Sequence, residues 1–220
     1  MKASVALMLL ALAACAQVPS QEADRLRMRG HVAQSGQGFV FQACDSQSSP
    51  QSLQDSISTV SLEELMGQLG YGDDAIVFID MVFQTESSDL EATRLIHAAH
   101  GETRGCDENP DFLWKAGGNE PFWSVHVGED ETRVSRLAET TREWRFPTPV
   151  AEAQGQLLRY SLGEADGAPV ELELNRNPCR DSMSGHYFAY DAVLGIGAEQ
   201  LTGCARTGLE LPMPGPKGQF

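Results

Sequence analysis

Cysteine is the residue type whose placement in this chain carries the most explicit chemistry. There are five. The first, Cys15, directly follows Leu12-Ala13-Ala14 at the close of an apolar run that starts after Met1-Lys2 and is broken only by Ser4. From Ala3 to Ala14 the run has 12 residues, well short of the ~20 that cross a bilayer as a helix. It therefore reads as a secretory signal. Ala13 and Ala14 are small enough for a peptidase to close on the backbone, and the ending is a lipobox. Cys15 is the expected lipidation site, its thiol carrying a diacylglyceryl group. Several acyl chains at ~0.8 kcal/mol per buried methylene give a stable anchor where one chain is marginal.

Cys44, Cys106, Cys179 and Cys204 remain. An even number in an exported chain suggests two disulfides, and four cysteines allow three connectivities. Two lie early and two late, which favours Cys44–Cys106 and Cys179–Cys204. Zinc would call for a Cys-x-x-Cys pair, and none is present.

Other candidate chemistry is thin. His97 and His100 would share a face of a helix and could bind a metal there, whereas on a strand they would point oppositely. His126 and His186 each sit alone at strand positions and read as structural histidines. Glu120 and Asp181 could act as an acid/base pair only if the fold brought them together and shifted a pKa. No Gly-x-Ser-x-Gly elbow surrounds any serine. The expectation is a protein that is not an enzyme, with no cofactor and no metal.

The formal net charge is −15. Such a surface is a poor match for nucleic acid, whose affinity rests on Lys and Arg neutralising phosphates, and equally poor for anionic lipid head groups. A basic protein or a cation would be attracted. Hydrophobic residues at 41% can fill a core, and a mean hydropathy of −0.27 argues against further membrane spans.

The elements that must position these residues follow from local pattern. Residues 1–15 are signal and lipidated Cys, and residues 16–29 are polar and read as a flexible tether. Strands are expected at 29–33 and 38–43, joined by a turn at Ser35-Gly36-Gln37-Gly38, then a loop over 45–55. Ser61-x-x-Glu64 is a capping box opening a short helix with Leu62, Leu65, Met66 and Leu69 on one face, stopped by Gly70. Residues 75–84 suit a central strand, and 90–100 a strand or short helix. Residues 30–110 thus form a small α+β or OB-like domain. A boundary is expected over 107–118. Beyond it lie seven strands, at 122–127, 132–137, 141–146, 156–162, 170–175, 187–193 and 200–205. They indicate an antiparallel β-barrel or sandwich domain over 117–206, followed by a loose, proline-rich tail over 207–220. The chain is expected to be mainly β.

Two stretches of the second half belong together. One is Gly118-Asn119-Glu120-Pro121-Phe122-Trp123. The other is Cys179-Arg180-Asp181-Ser182-Met183-Ser184-Gly185 with Tyr187, followed by Gly203-Cys204-Ala205. Residues 117–206 resemble a family of poorly characterised bacterial envelope lipoproteins. Their C-terminal domain carries Gly-x-Glu-Pro-Phe-Trp, then Cys-x-Asp-Gly-Met-Ser, then Gly-Cys; here Ser182 replaces the family's glycine. On the residues themselves, Phe122 and Trp123 point to opposite faces, and a Cys179–Cys204 bridge would clamp the Asp181–Gly185 loop. Trp123, Asp181, Ser182, Met183 and Ser184 form a candidate binding surface, with Trp123 closing the barrel rim. The outcome expected of the two is that these groups only maintain the fold, with Met183 in the core, so that Met183→Ala costs ~2–5 kcal/mol as a buried truncation.

Ala16 follows the lipidated cysteine without an aspartate. By resemblance to lipoproteins sorted in double-membraned bacteria, this implies lipid anchoring to the outer membrane at its periplasmic face. The expected role is non-catalytic binding or envelope maintenance, with a periplasmic protein as a possible partner and no nucleic acid. The alternatives are an inhibitor of a basic lysozyme-type hydrolase and an envelope metal or stress sensor.

Overall fold

A computed structural model describes residues 25–208 except 37, 46, 48, 71–74, 85–88, 102–104, 110 and 139. The expected signal, the expected lipidation site Cys15 and the chain to residue 24 lie outside the described residues, as does the tail after Gly208.

The first half is built on β1 (Arg25–Ser35), β2 (Gly38–Ala43), β3 (Gln51–Asp55), α1 (Leu62–Leu69), β4 (Ile76–Gln84) and β5 (Leu90–His100). β1, β2 and β3 form an antiparallel meander, and β3 then pairs parallel to β5 through Leu53↔Leu90 to Asp55↔Ala92. β5 pairs antiparallel to β4, and β4 to β1, which closes the ring. A closed five-stranded barrel with a helix between its third and fourth strands is the OB arrangement. Gly30 lies where β1, already paired with β4, takes up β2 on its other side. A side chain there would meet the Gln42 carbonyl at 2.2 Å and the Phe41 ring at 2.6 Å, so only glycine lets β1 and β2 approach at this bend.

The helix forms where the capping box lies. Ser61 is extended and its hydroxyl accepts from the Glu64 amide at 3.1 Å, while Asp55 accepts from the Leu62 amide at 2.6 Å. Leu62, Leu65, Met66 and Leu69 turn inward and join Val32, Phe41, Ile79, Phe83 and Leu95 in one core. Each fully buried side chain of this size contributes ~1.5–3 kcal/mol.

The second half comprises β6 (Trp114–Asn119), β7 (Phe122–Val127), β8 (Glu131–Leu137), β9 (Thr141–Pro147), β10 (Glu152–Gln154), β11 (Leu157–Ala165) and β12 (Ala168–Asn175). After two very short strands, β13 (Cys179–Arg180) and β14 (Tyr187–Phe188), it ends with β15 (Tyr190–Ile196) and β16 (Glu199–Thr207). Nine of these make one antiparallel sheet in the order β10-β11-β12-β15-β16-β6-β7-β8-β9. It curls until β9 touches β11. Alternation drives this packing: Trp123, Val125 and Val127 of β7 and Val170, Leu172 and Leu174 of β12 all enter one core. Within it Trp114 meets Tyr190 edge-on at 5.0 Å between ring centroids.

β13 and β14 leave this sheet. They pair with each other, and β14 adds to β5 through Tyr187↔Ala98 and Phe188↔His97. The mainly β architecture and both disulfides follow the sequence expectation: Cys44–Cys106 and Cys179–Cys204 are bonded.

Four local expectations are corrected. Arg25–Arg29, assigned to the tether, form the start of β1 because they pair with Asp80–Gln84 of β4 and Arg27 finds a buried carboxylate in Asp80, described below. Residues 51–55, expected in a loop, form β3, whose backbone pairing overrides a polar composition with only Leu53 buried. Trp114–Asn119, expected at a boundary, is the interior strand β6 with Trp114, Ala116 and Gly118 alternately buried. Residues 187–193, expected as one strand, split at Ala189 into β14 and β15, which belong to different sheets.

Candidate functional site

The two halves meet along β1, β5, β14 and β16, and their junction is polar. Arg27 forks onto Asp80 with Nε and Nη2 at 2.7 and 2.6 Å, and the same guanidinium donates to the Thr207 hydroxyl at 2.8 Å and carbonyl at 3.0 Å. Asp80 is only 1% exposed, so this fork ties the last strand of the second sheet to the floor of the first barrel. Arg29 reaches the carbonyls of Gly105 and Glu108 at 3.2 and 2.8 Å. Glu108 in turn takes Lys115 on one carboxylate oxygen and Arg206 on the other. Burial alone would raise the Glu108 pKa, but its bonds to Lys115 and the Arg206 charge outweigh that and hold it below the usual value. Phe112 lies under both cations, with centroids 5.1 and 5.2 Å away.

The two sequence motifs interlock at this junction. β6 and β7 join through a two-residue turn, Glu120-Pro121, whose peptide bond is cis. The indole of Trp123 donates to the Thr202 carbonyl at 3.1 Å and is buried to 1%. Gly203 packs so closely that a side chain there would meet the Gly117 carbonyl at 2.0 Å and the Trp123 ring at 2.8 Å. The Gly-Cys and Phe-Trp motifs are therefore two sides of one contact.

The Asp181–Gly185 loop is organised by its aspartate. Asp181 Oδ1 accepts from the amides of Met183 and Ser184 at 3.1 and 2.7 Å and from the Ser184 hydroxyl at 2.7 Å. Its other oxygen accepts from the Asn119 side-chain amide. Burial pushes the Asp181 pKa up, but the bonds from Ser184, Asn119 and Met183 more than offset it, and the value falls. It is Asn119, not Glu120, that meets Asp181. The expected carboxylate pair does not form, and Glu120 is exposed.

Two clefts open here and share His97 and Glu108 as walls. The larger, about 510 Å³, also has Phe78, Asp107 and His186 in its lining. The smaller, about 290 Å³, runs past Lys115, Asn119, Phe122, Asp181 and Arg206. No family model, curated protein or solved structure matches this chain. What the site can do is therefore argued from its own groups.

His97 is the central one. It is 8% exposed, stacks on Phe188 at 4.6 Å, and places Nδ1 2.9 Å from the Tyr187 carbonyl. A carbonyl only accepts, so Nδ1 carries the proton and donates. Burial, then the nearby Arg206, His186 and Arg27, push the His97 pKa well below its ordinary value. The ring is neutral at pH 7. His186 lies 5.9 Å from His97 and 5.1 Å from His100, between ring centroids. Its pKa is lowered by burial and by His100, with Asp181 opposing. His100 bridges the end of α1 to the loop, with Nδ1 2.8 Å from the Leu69 carbonyl and Nε2 3.1 Å from that of Ser184. Among the described residues, no three His, Cys, Asp or Glu side chains are arranged to hold a metal ion.

Of the five candidate surface residues, Asp181 and Trp123 line the smaller cleft, while Ser182, Met183 and Ser184 are not among its walls. Trp123 is buried, and the exposed ring at the rim is Phe122, 48% accessible. Met183, expected in the core, is 76% exposed. Its loop is held by hydrogen bonds to Asp181, so burial of the methionine is not needed. His97, Glu108, Asn119, Phe122 and Arg206 were missed as a group. Asn119 and Phe122 carried a signal, being inside the first motif, and His97 was singled out only for a metal site shared with His100; Glu108 and Arg206 carried none.

Proposed function

We propose that this protein is a lipid-anchored binding protein of the bacterial envelope, attached through Cys15 at the periplasmic face of the outer membrane and acting without catalysis. Its binding site is the cleft between the barrel and the curled sheet. The observation that supports this reading is a cleft whose walls are held in place by the protein's own bonds. Asp181 fixes its own loop and Asn119, while the Cys179–Cys204 bridge ties that loop to β16. Preformed polar groups around an exposed aromatic ring are the usual composition of a binding cleft.

The test places a photoreactive phenylalanine analogue at position 122 of the full chain in the native envelope. A discrete adduct is expected from that position and not from position 150, where Val150 is 94% exposed and does not line the cleft. Identical patterns from both positions would overturn the site. Labelled palmitate should enter the protein but not the Cys15→Ser variant, and incorporation into the variant would overturn the anchor. Loss of activity of a basic lysozyme on adding the protein would favour the inhibitor alternative.

A further inference from the structure

The cleft presents an acceptor that no protein group uses. His97 uses Nδ1 to donate to the Tyr187 carbonyl, which leaves the Nε2 lone pair on the opposite side of a ring that lines both clefts. Among the described residues no hydrogen-bond partner for Nε2 exists. The ring as a whole is only 8% exposed, so this nitrogen meets solvent only through the cleft, and a ligand with a donor there takes the place of water.

The other groups narrow what that donor belongs to. Asn119 spends one N–H on Asp181, which leaves its carbonyl oxygen as an acceptor and its second N–H as a donor. Asp181 is a carboxylate, and its oxygens only accept. The two cations of the cleft, Lys115 and Arg206, are both engaged by Glu108, so no free positive pair is on offer to an anion. Glu108 is likewise neutralised by those two cations and both Asp181 oxygens are engaged, so no free carboxylate is offered to a cation either, and the lining suits an uncharged molecule that carries hydroxyl or N–H donors. Phe122 supplies an exposed apolar plate on the wall that holds Asn119.

We infer that the cleft between the barrel and the curled sheet is a site for a neutral saccharide unit, whose ring face covers Phe122 and whose hydroxyl or acetamido N–H donates to His97 Nε2. A sugar ring combines an apolar face with a rim of donors, which is the pattern of this lining. The smaller lobe, about 290 Å³, is at the low end of ligand pockets and suits one ring. The larger lobe beyond His97 and Glu108 offers room for a second unit. A peptide is the less favoured occupant, because an extended chain gains most from an open strand edge, and these walls are side chains and paired strands.

The inference rests on the binding reading above, and its test separates the two. The full lipidated chain, in a detergent without a sugar head group, is titrated with N,N′-diacetylchitobiose, with maltose and with trialanine. The imidazole nitrogen resonances of His97 are followed by NMR. A saturable shift of Nε2 with a saccharide, with Nδ1 nearly unmoved, is expected. Phe122→Ala should weaken it about tenfold, the worth of one aromatic contact, without changing the melting curve. If neither saccharide moves Nε2, the saccharide site is refuted. A response to trialanine alone, or a photoadduct at position 122 carrying no sugar, leaves the binding reading standing without the saccharide. No response to any probe and no adduct removes both.

Discussion

The two disulfides have nearly the same dimensions, with Cα–Cα distances of 5.3 and 5.5 Å, yet they hold different things. Cys44–Cys106 joins the end of β2 to the segment after β5, both within the first barrel. Cys179–Cys204 runs from β13, on the barrel's sheet, to β16 in the middle of the curled sheet, and Cys204 lines the smaller cleft. The first bridge secures a body that already has a closed ring of strands and its own core. The second fixes where one body sits against the other. Both bridges stabilise the fold but only the second bears on the geometry of the cleft, and the two can be broken separately.

The largest effect sharpens that contrast. Replacing both cysteines of the 62-residue separation with alanine is expected to cost ~4.3 kcal/mol, and of the 25-residue separation ~3.5 kcal/mol, by loop entropy. Urea unfolding measures both. The His97 resonances should move in the Cys179/Cys204 double variant and stay in place in the Cys44/Cys106 one; the reverse pattern would undo the division of labour. Next comes Asp80→Asn, which leaves the Arg27 guanidinium buried without its carboxylate and should cost ~3 kcal/mol. A loss under 1 kcal/mol by the same measurement would mean that water replaces the pair.

Acid should loosen the junction before it unfolds the barrel. The folded pKa of His97 is depressed by burial, so the unfolded chain takes up its proton first. Stability from this group is whole above the unfolded value of ~6.5 and is lost as pH falls from there through the folded value. Glu108 and Asp181, also depressed, add their losses only as pH falls below ~4. His97→Phe retains an aromatic ring beside Phe188 and should flatten the limb just below 6.5 in a series of pH-dependent melts. A limb of unchanged slope would assign it to another group. The smallest effect is Met183→Ala, expected within ~0.5 kcal/mol for an exposed side chain. A denaturation midpoint shifted by several times that amount would mean Met183 is covered in solution.

That last value reverses the sequence expectation, and the reason is physical. A methionine between serines reads as a core anchor only if burial holds the loop, whereas four bonds to Asp181 hold it here. Alternation placed Phe122 and Trp123 on opposite faces but carried no sign, so the rim was given to Trp123. The barrel was legible because its features are local: a capping box, a long apolar strand, a glycine-marked turn. The disulfide pairs were legible from cysteine distribution alone. β13 and β14 were not, since strands of two residues have no period to read. The cleft was invisible for the same reason, because its walls come from both halves and meet only through that crossing.

The crossing also sets an order of events during synthesis. β5 has its partner near residue 97 supplied by residues 187 and 188, about half the chain later. While the ribosome makes the curled sheet's early strands, the barrel has a bare stretch of edge at Ile96, His97 and Ala98. It is then covered by Tyr187, Phe188 and the Ala189 amide, which donates to the Ile96 carbonyl at 3.0 Å. Unpaired strand edges recruit other chains. A nascent or truncated chain ending near residue 110 should therefore be sticky where the finished protein is not, and the last-made part of the molecule acts as the stopper of the first.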